Sequence, residues 1–159
     1  MTKICKDRFT IRELAAGDEP LLNDFFDSLS GQTRALFNRR DYNRRGVLRA
    51  AARPDGARRY FLLLEGERMV GYVFFLDYDT GIPELGLALR DELHGMGIGG
   101  ELTRFAIEMA RGDGFGGLYL TTHVANVRAQ ALYEKCGFKL IGPTKNASEL
   151  AYLLRFPRG

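Results

Sequence analysis

The chain reads as one mixed α/β domain spanning residues 1–159, with helices laid against a central sheet. Three observations predict this. Seven strand-like apolar runs recur between helix-like segments: FTIREL from Phe9, YFLLLE, RMVGYVFFLDY, PELGLALR, LYLTTHV, FKLIG and ELAYLLRF. Gly95, Gly97, Gly99 and Gly100 crowd together between the fourth run and an amphipathic segment. With 159 residues and 45% hydrophobic content, the chain can bury a sizeable core without a second domain.

Each element has a local signal. Ala15-Ala16-Gly17 closes the first strand, and Asp18 stands as an N-cap with Glu19 and Pro20 in the first turn. Leu21, Leu22, Phe25, Phe26 and Leu29 then mark one helix face up to Ser30-Gly31. The arginine-rich stretch that follows has patchy helical periodicity and stops at Pro54-Asp55-Gly56. Glu65-Gly66-Glu67 joins two strands as a hairpin, and Asp77 to Gly81 supplies the next turn. PELGLALR alternates strictly, with Leu85, Leu87 and Leu89 on one face and Glu84, Gly86 and Ala88 on the other. Within Asp91 to Arg111, Ile98, Leu102, Phe105 and Met109 fall on one helix face, away from Glu101, Arg104, Glu108 and Arg111. Asn126 caps a later helix whose apolar face is Ala129, Leu132, Tyr133 and Cys136, with Gly137 at C′.

Composition narrows the function classes. No run approaches eighteen apolar residues, and MTKICKDRFTIRE lacks an apolar signal region. A cytoplasmic location without membrane attachment is expected, and the Asn146-Ala147-Ser148 sequon then carries no meaning. Cys5 and Cys136 make no disulfide framework, and two distant histidines give no metal-ligand spacing, so no metal is expected. Residues 34 to 59 hold nine arginines against Asp41 and Asp55, a net of +7, while the whole chain carries only +3. That segment lacks interleaved aromatics apart from Phe37, Tyr42 and Tyr60, which argues against nucleic acid as a partner.

Strand, glycine loop and helix in that order bring backbone N–H groups together on an anion, usually a phosphate. Glycine lets the loop take positive φ and lets a ligand approach closely. Two nucleotide loops are excluded. A Walker loop needs Lys-Ser/Thr where Gly100-Glu101 stand, and the dinucleotide fingerprint needs G-x-G-x-x-G where the spacing here is G-x-G-x-G-G.

His94-Gly95-Met96-Gly97-Ile98-Gly99 resembles the Q/R-x-x-G-x-G/A motif of the GNAT superfamily of acyl-CoA N-acyltransferases, with His94 in place of Gln or Arg. A second family motif matches at Asn126-x-x-Ala129-x-x-Leu132-Tyr133-x-x-x-Gly137-Phe138. The resemblance covers roughly Arg59 to Phe156. It implies a central mixed, mostly antiparallel sheet of about seven strands, acetyl-CoA as cofactor, and transfer of an acetyl group to an amine.

The resemblance also implies roles. Backbone N–H groups of the loop, Gly95, Met96, Gly97, Ile98, Gly99 and Gly100, would hold the pyrophosphate, His94 would add a donor, and Asn126 would touch the cofactor. The backbone of Leu87, Ala88 and Leu89 would pair with the pantetheine amides, with Gly86 and Ala88 keeping one face low for the arm. Glu84 matches the family's frequent base position. An exposed carboxylate near a pKa of about 4.3 needs a water relay or a raised pKa to act there. Tyr133 matches the general acid, best described as a hydrogen-bond donor to sulfur as charge develops. His123 is an alternative base.

The acceptor is expected to be an amine on a small molecule or peptide. The arginine segment borders the acceptor pocket by resemblance, so an anionic acceptor would be attracted and a polyamine repelled. Arg39, Arg40, Arg44 and Arg45 are the cluster in question. A homodimer stays open. The competing reading is a non-catalytic acyl-CoA sensor of the same fold.

Overall fold

The turn signals divide the chain as expected in the computed structural model, which describes residues 2–5, 7–36 and 44–157. In order come β1 (Thr2–Ile4), β2 (Phe9–Glu13), α1 (Glu19–Ser28), α2 (Gly31–Ala35), α3 (Arg44–Ala52), β3 (Arg59–Glu65), β4 (Arg68–Leu76) and β5 (Glu84–Leu89). A 3₁₀ turn over Asp91–Leu93 leads to α4 (Ile98–Gly112), β6 (Gly117–His123), α5 (Val127–Lys135), β7 (Lys139–Pro143) and β8 (Glu149–Arg155). The strands form one sheet in the order β1-β2-β3-β4-β5-β6-β8-β7, antiparallel except where β5 meets β6.

Eight strands are present where about seven were expected. The extra one is β1, a three-residue edge strand paired antiparallel with β2; its TKI sequence is too short to show a period. The short α2 was also not foreseen. Ser30 caps it, its hydroxyl accepting from the Thr33 N–H at 3.1 Å.

Each face of the sheet buries an apolar layer. Leu85, Leu89, Leu118, Leu120 and Tyr152 pack beneath α4 on one face. Tyr60, Tyr72, Phe74 and Ala88 pack beneath α1 and α3 on the other. Tyr72 and Phe74 stack at 5.3 Å between centroids, and Tyr60 and Phe74 at 5.6 Å. Among the described residues no helix is long and apolar enough to cross a membrane.

Asp18 holds the N-cap position of α1, yet its side chain caps nothing. Its oxygens instead accept a fork from Arg12, at 2.7 and 2.8 Å, and the Ala15 N–H at 2.8 Å. The Arg12 hydrogen bond pulls the carboxyl below its ordinary range despite burial. A lowered pKa adds stability that is complete above the unfolded value of about 3.9 and is lost as pH falls through the folded one. Asp18→Asn should therefore cost about 2 kcal/mol at neutral pH. The gap to wild type, followed by denaturant unfolding, should close in acid. A gap that persists below pH of about 2 would assign the loss to something other than this charge.

The arginine segment is partly spent on internal contacts. Arg34 donates to the Phe26 carbonyl at 2.9 Å, Arg44 pairs with Asp27 and lies over the Phe26 ring, and Arg59 binds Glu13 at 2.9 Å. Arg45, Arg49 and Arg53 are exposed on or just beyond α3, while Arg39 and Arg40 lie outside the described residues. Of the four arginines expected near the acceptor, Arg44 pairs with Asp27 and Arg45 is exposed.

Candidate active site

β5 and β6 touch at a single register, Glu84 opposite Tyr119, with the Tyr119 N–H donating to the Pro83 carbonyl at 3.0 Å. Beyond that vertex the two strands part, and a cavity of about 410 Å³ fills the opening. Its walls are β5, the glycine loop, β6, the first two turns of α5, and residues of α2.

Hydrogen-bond alternation along β5 decides which backbone groups face this opening. The Arg90 N–H goes to the Val70 carbonyl on β4, so even-numbered residues point to β4. The Pro83 bond to β6 shows that odd-numbered residues point to the opening. Leu87 and Leu89 thus present their amides there. Ala88 borders the cavity, but its amide serves the β4 ladder opposite Tyr72, which corrects its assignment as a backbone ligand. The Leu89 carbonyl already accepts from His94 Nε2 at 3.2 Å. A carbonyl can only accept, so Nε2 carries the proton and ties the loop to β5.

The loop itself reaches the cavity through Gly95, Gly97, Gly99 and Gly100. Gly95 and Gly97 have φ of 78° and 80°, the left-handed region that side chains disfavour. Gly97 is the N-cap of α4 and, having no side chain, caps nothing. The first-turn N–H groups of this fifteen-residue helix are therefore left to an outside acceptor. Gly99 has a packing duty: a Cβ there would stand 3.0 Å from a Leu132 methyl, so its absence lets α4 approach α5. Two loop residues do not border the cavity. Met96 points outward at 49% exposure, and the Ile98 side chain is buried in the core, leaving only their backbones to serve.

Glu84 sits where β5 and β6 close on each other. It is buried at the vertex of the strands and does not border the cavity. Gly86, next on the same face, does not leave a low channel either. A Cβ at Gly86 would lie 2.1 Å from the Phe74 ring, which occupies that space from the opposite strand position. An aromatic ring folded over a cross-strand glycine fills the gap, so the expected passage for an arm over Gly86 is corrected.

Tyr133 borders the cavity from α5 and is 5% exposed. Its ring packs edge-on against Phe138 at 5.8 Å, and burial pushes its hydroxyl well above the ordinary phenol range. Asn126 borders the cavity too, while its side chain accepts from the Ala129 N–H at 3.2 Å as the helix cap. His123 Nδ1 accepts the Ala125 N–H at 3.0 Å. That bond leaves the ring proton of a neutral imidazole on Nε2, and His123 borders the cavity.

Several cavity residues escaped the sequence reading, among them Asp91, Thr121, Arg128 and Glu149. Glu149 at the start of β8 is 3% exposed, borders the cavity, and accepts from the Thr121 hydroxyl at 2.6 Å. The only hint in the sequence is the alternation of ELAYLLRF, which sets Glu149 and Ala151 opposite to Tyr152.

The Acetyltransferase (GNAT) family model matches residues 22–138. GCN5-related N-acetyltransferase 6, chloroplastic, of Arabidopsis thaliana is 33% identical over 107 residues, 62% of this chain and 37% of that protein's length. The chain thus spans well under half of this relative. The ribosomal-protein-S5-alanine acetyltransferase of Vibrio fischeri superposes with a TM-score of 0.81 at 13% identity, covering 98% of this chain and 97% of that one. The PaiA N-acetyltransferase of Thermoplasma acidophilum, solved in complex with coenzyme A, gives 0.77 at 19% identity over 93% and 99% of the two chains. At such identities the structures speak for the fold. The family match, which takes in the cleft strands, the glycine loop and most of α5, speaks for descent, and the chain belongs to the GNAT acetyltransferase family.

Proposed function

We propose that the chain acts as one domain that transfers an acetyl group from acetyl-CoA to an amine of a small molecule or peptide in the cytoplasm. One observation carries the reading: the uncapped N-terminus of α4 opens onto the cleft where β5 and β6 part. A diphosphate fits there because backbone N–H groups and the helix dipole meet it without a competing side chain. The amides of Leu87 and Leu89 suit the pantetheine arm, since they line the same opening. When bound, acetyl-CoA supplies the activated acyl group. The Tyr133 hydroxyl, kept protonated by burial, donates a hydrogen bond where negative charge develops on the leaving sulfur.

The test is release of CoA thiol from acetyl-CoA over a panel of amines: L-glutamate, O-phosphoethanolamine, a Ser-Ala dipeptide and spermidine. Turnover of any of them supports transfer. Tight acetyl-CoA binding with no thiol release from any amine favours the sensor. Arg34, Arg44 and Arg59 also make contacts within the chain, and Arg45, Arg49 and Arg53 add exposed positive charge that favours an anionic acceptor. Preference for spermidine over the anionic amines would remove that selection.

A further inference from the structure

We propose that Arg104 and Arg128 form a site for the phosphate monoester on the ribose of CoA, a group separate from its diphosphate. This rests on the cofactor half of the reading above and adds what tells CoA from its dephosphorylated form.

The two side chains converge because of where their helices start. β5 and β6 are parallel and each is followed by its helix, so α4 and α5 both begin at the end of the sheet where the cleft opens. Long side chains on a helix lean back over the preceding turn, towards its N-terminus. Arg104 stands one turn beyond Gly100 and does this. A Cβ built on Gly100 would lie 3.5 and 3.7 Å from the two terminal nitrogens of Arg104, and 3.6 Å from a Leu132 methyl of α5. The guanidinium therefore covers Gly100, which borders the cavity, on the side that faces α5. Burial raises the Cys136 thiol of α5 and the Arg104 charge opposes it, in keeping with that placement. Arg128 lies in the first turn of α5, one turn before Leu132 on the same face, and borders the cavity itself.

Neither charge is answered within the chain. Arg12, Arg44, Arg59 and Arg90 each hold a carboxylate, and Arg111 of α4 pairs with Glu108. Among the described residues Arg104 and Arg128 hold none, and both are exposed. Glu101, the acid in the first turn of α4, does not border the cavity.

The chemistry of the ligand matches this pair. The diphosphate and the monoester hang from one ribose, so a diphosphate held at the glycine loop sets the monoester beside it. The N–H groups of α4 supply only partial charges and are taken up by the diphosphate. A phosphate monoester carries about −1.5 to −2 charge at neutral pH and needs full counter-charges. A guanidinium offers a planar fork of donors that meets two phosphate oxygens at once. Two of them, one from each helix, clamp the group across the mouth of the cleft.

Calorimetry on the full chain with CoA and with 3′-dephospho-CoA tests the site. Wild type should bind CoA about 30-fold more tightly, a gap that narrows as salt rises. Arg104→Gln and Arg128→Gln should each remove about fivefold of that preference and the double variant all of it, with dephospho-CoA bound as by wild type. Amine KM should not change. Both positions are exposed, so the ligand-free variants should keep the wild-type Tm. Arg104→Lys and Arg128→Lys keep the charge without the fork; they should show an intermediate preference, and they carry the test where a Gln variant does not fold. Equal affinity of wild type for the two ligands overturns the site. Variants that weaken both ligands alike would put the arginines on the diphosphate, and a raised amine KM with intact CoA affinity would put them on the acceptor. Either result overturns the assignment and leaves the transfer reading intact. A wild type that binds neither ligand overturns both.

Discussion

Gly97→Asp abolishes the stabilisation of this protein by acetyl-CoA. A ligand that binds only the folded state at about 100 times its Kd adds about 2.7 kcal/mol, which for a chain of this size raises Tm by about 5–10 °C. Gly97 sits at φ 80° with nothing within 4 Å of a Cβ built there, so the substitution costs backbone strain but meets no neighbour. Aspartate tolerates the left-handed region better than most residues, at a cost of about 1–2 kcal/mol, and the variant should fold. Its carboxylate can then accept the first-turn N–H groups that the wild type leaves to a phosphate, and it repels that phosphate as well. Gly97→Asn separates the two effects, since it can cap without the charge and should retain part of the shift. An undiminished Tm shift in Gly97→Asp would place the pyrophosphate elsewhere.

Tyr133→Phe should lower kcat by on the order of 10²-fold while acetyl-CoA affinity changes by less than about threefold. The ring keeps its packing on Phe138, so only the hydroxyl is lost. Burial raises that hydroxyl above the ordinary phenol range, which favours the neutral form. The donor is therefore present throughout, and the deficit should be constant from about pH 6 to about pH 10. A deficit that vanishes with rising pH would mean the phenol titrates, and equal kcat in both proteins would remove it from the reaction.

Much of this was legible because it is local. The glycine loop, the α4 face of Ile98 and Leu102, and the Asn126 cap each depend on residues a few positions apart. The order of the two motifs carries the family. What was not legible depends on which strands become neighbours. Phe74 covers Gly86 because β4 and β5 pair in that register, and no window of sequence contains both with their geometry. Glu149 reaches the cavity because β8 inserts between β6 and β7, so a residue 28 positions from Thr121 becomes its hydrogen-bond partner. Glu84 fits the motif position, yet pairing with Tyr119 sets it at the closed end of the cleft. Motif matching locates a residue along a strand; it does not say how far the neighbouring strand has opened there.

That opening also divides the molecule's folding. β1 through β5 are joined in sequence order, each strand beside its predecessor, a meander that can assemble from nearby contacts. β6, β8 and β7 form a second antiparallel set, joined to the first by one register and the α4 crossover. The two sets meet at a lateral seam, and the apolar layer beneath α4 spans both. Because the seam and the cleft are the same place, a molecule lodged there bridges both sets and opposes their parting. Local breathing of the sheet and occupancy of the cleft become two readings of one equilibrium.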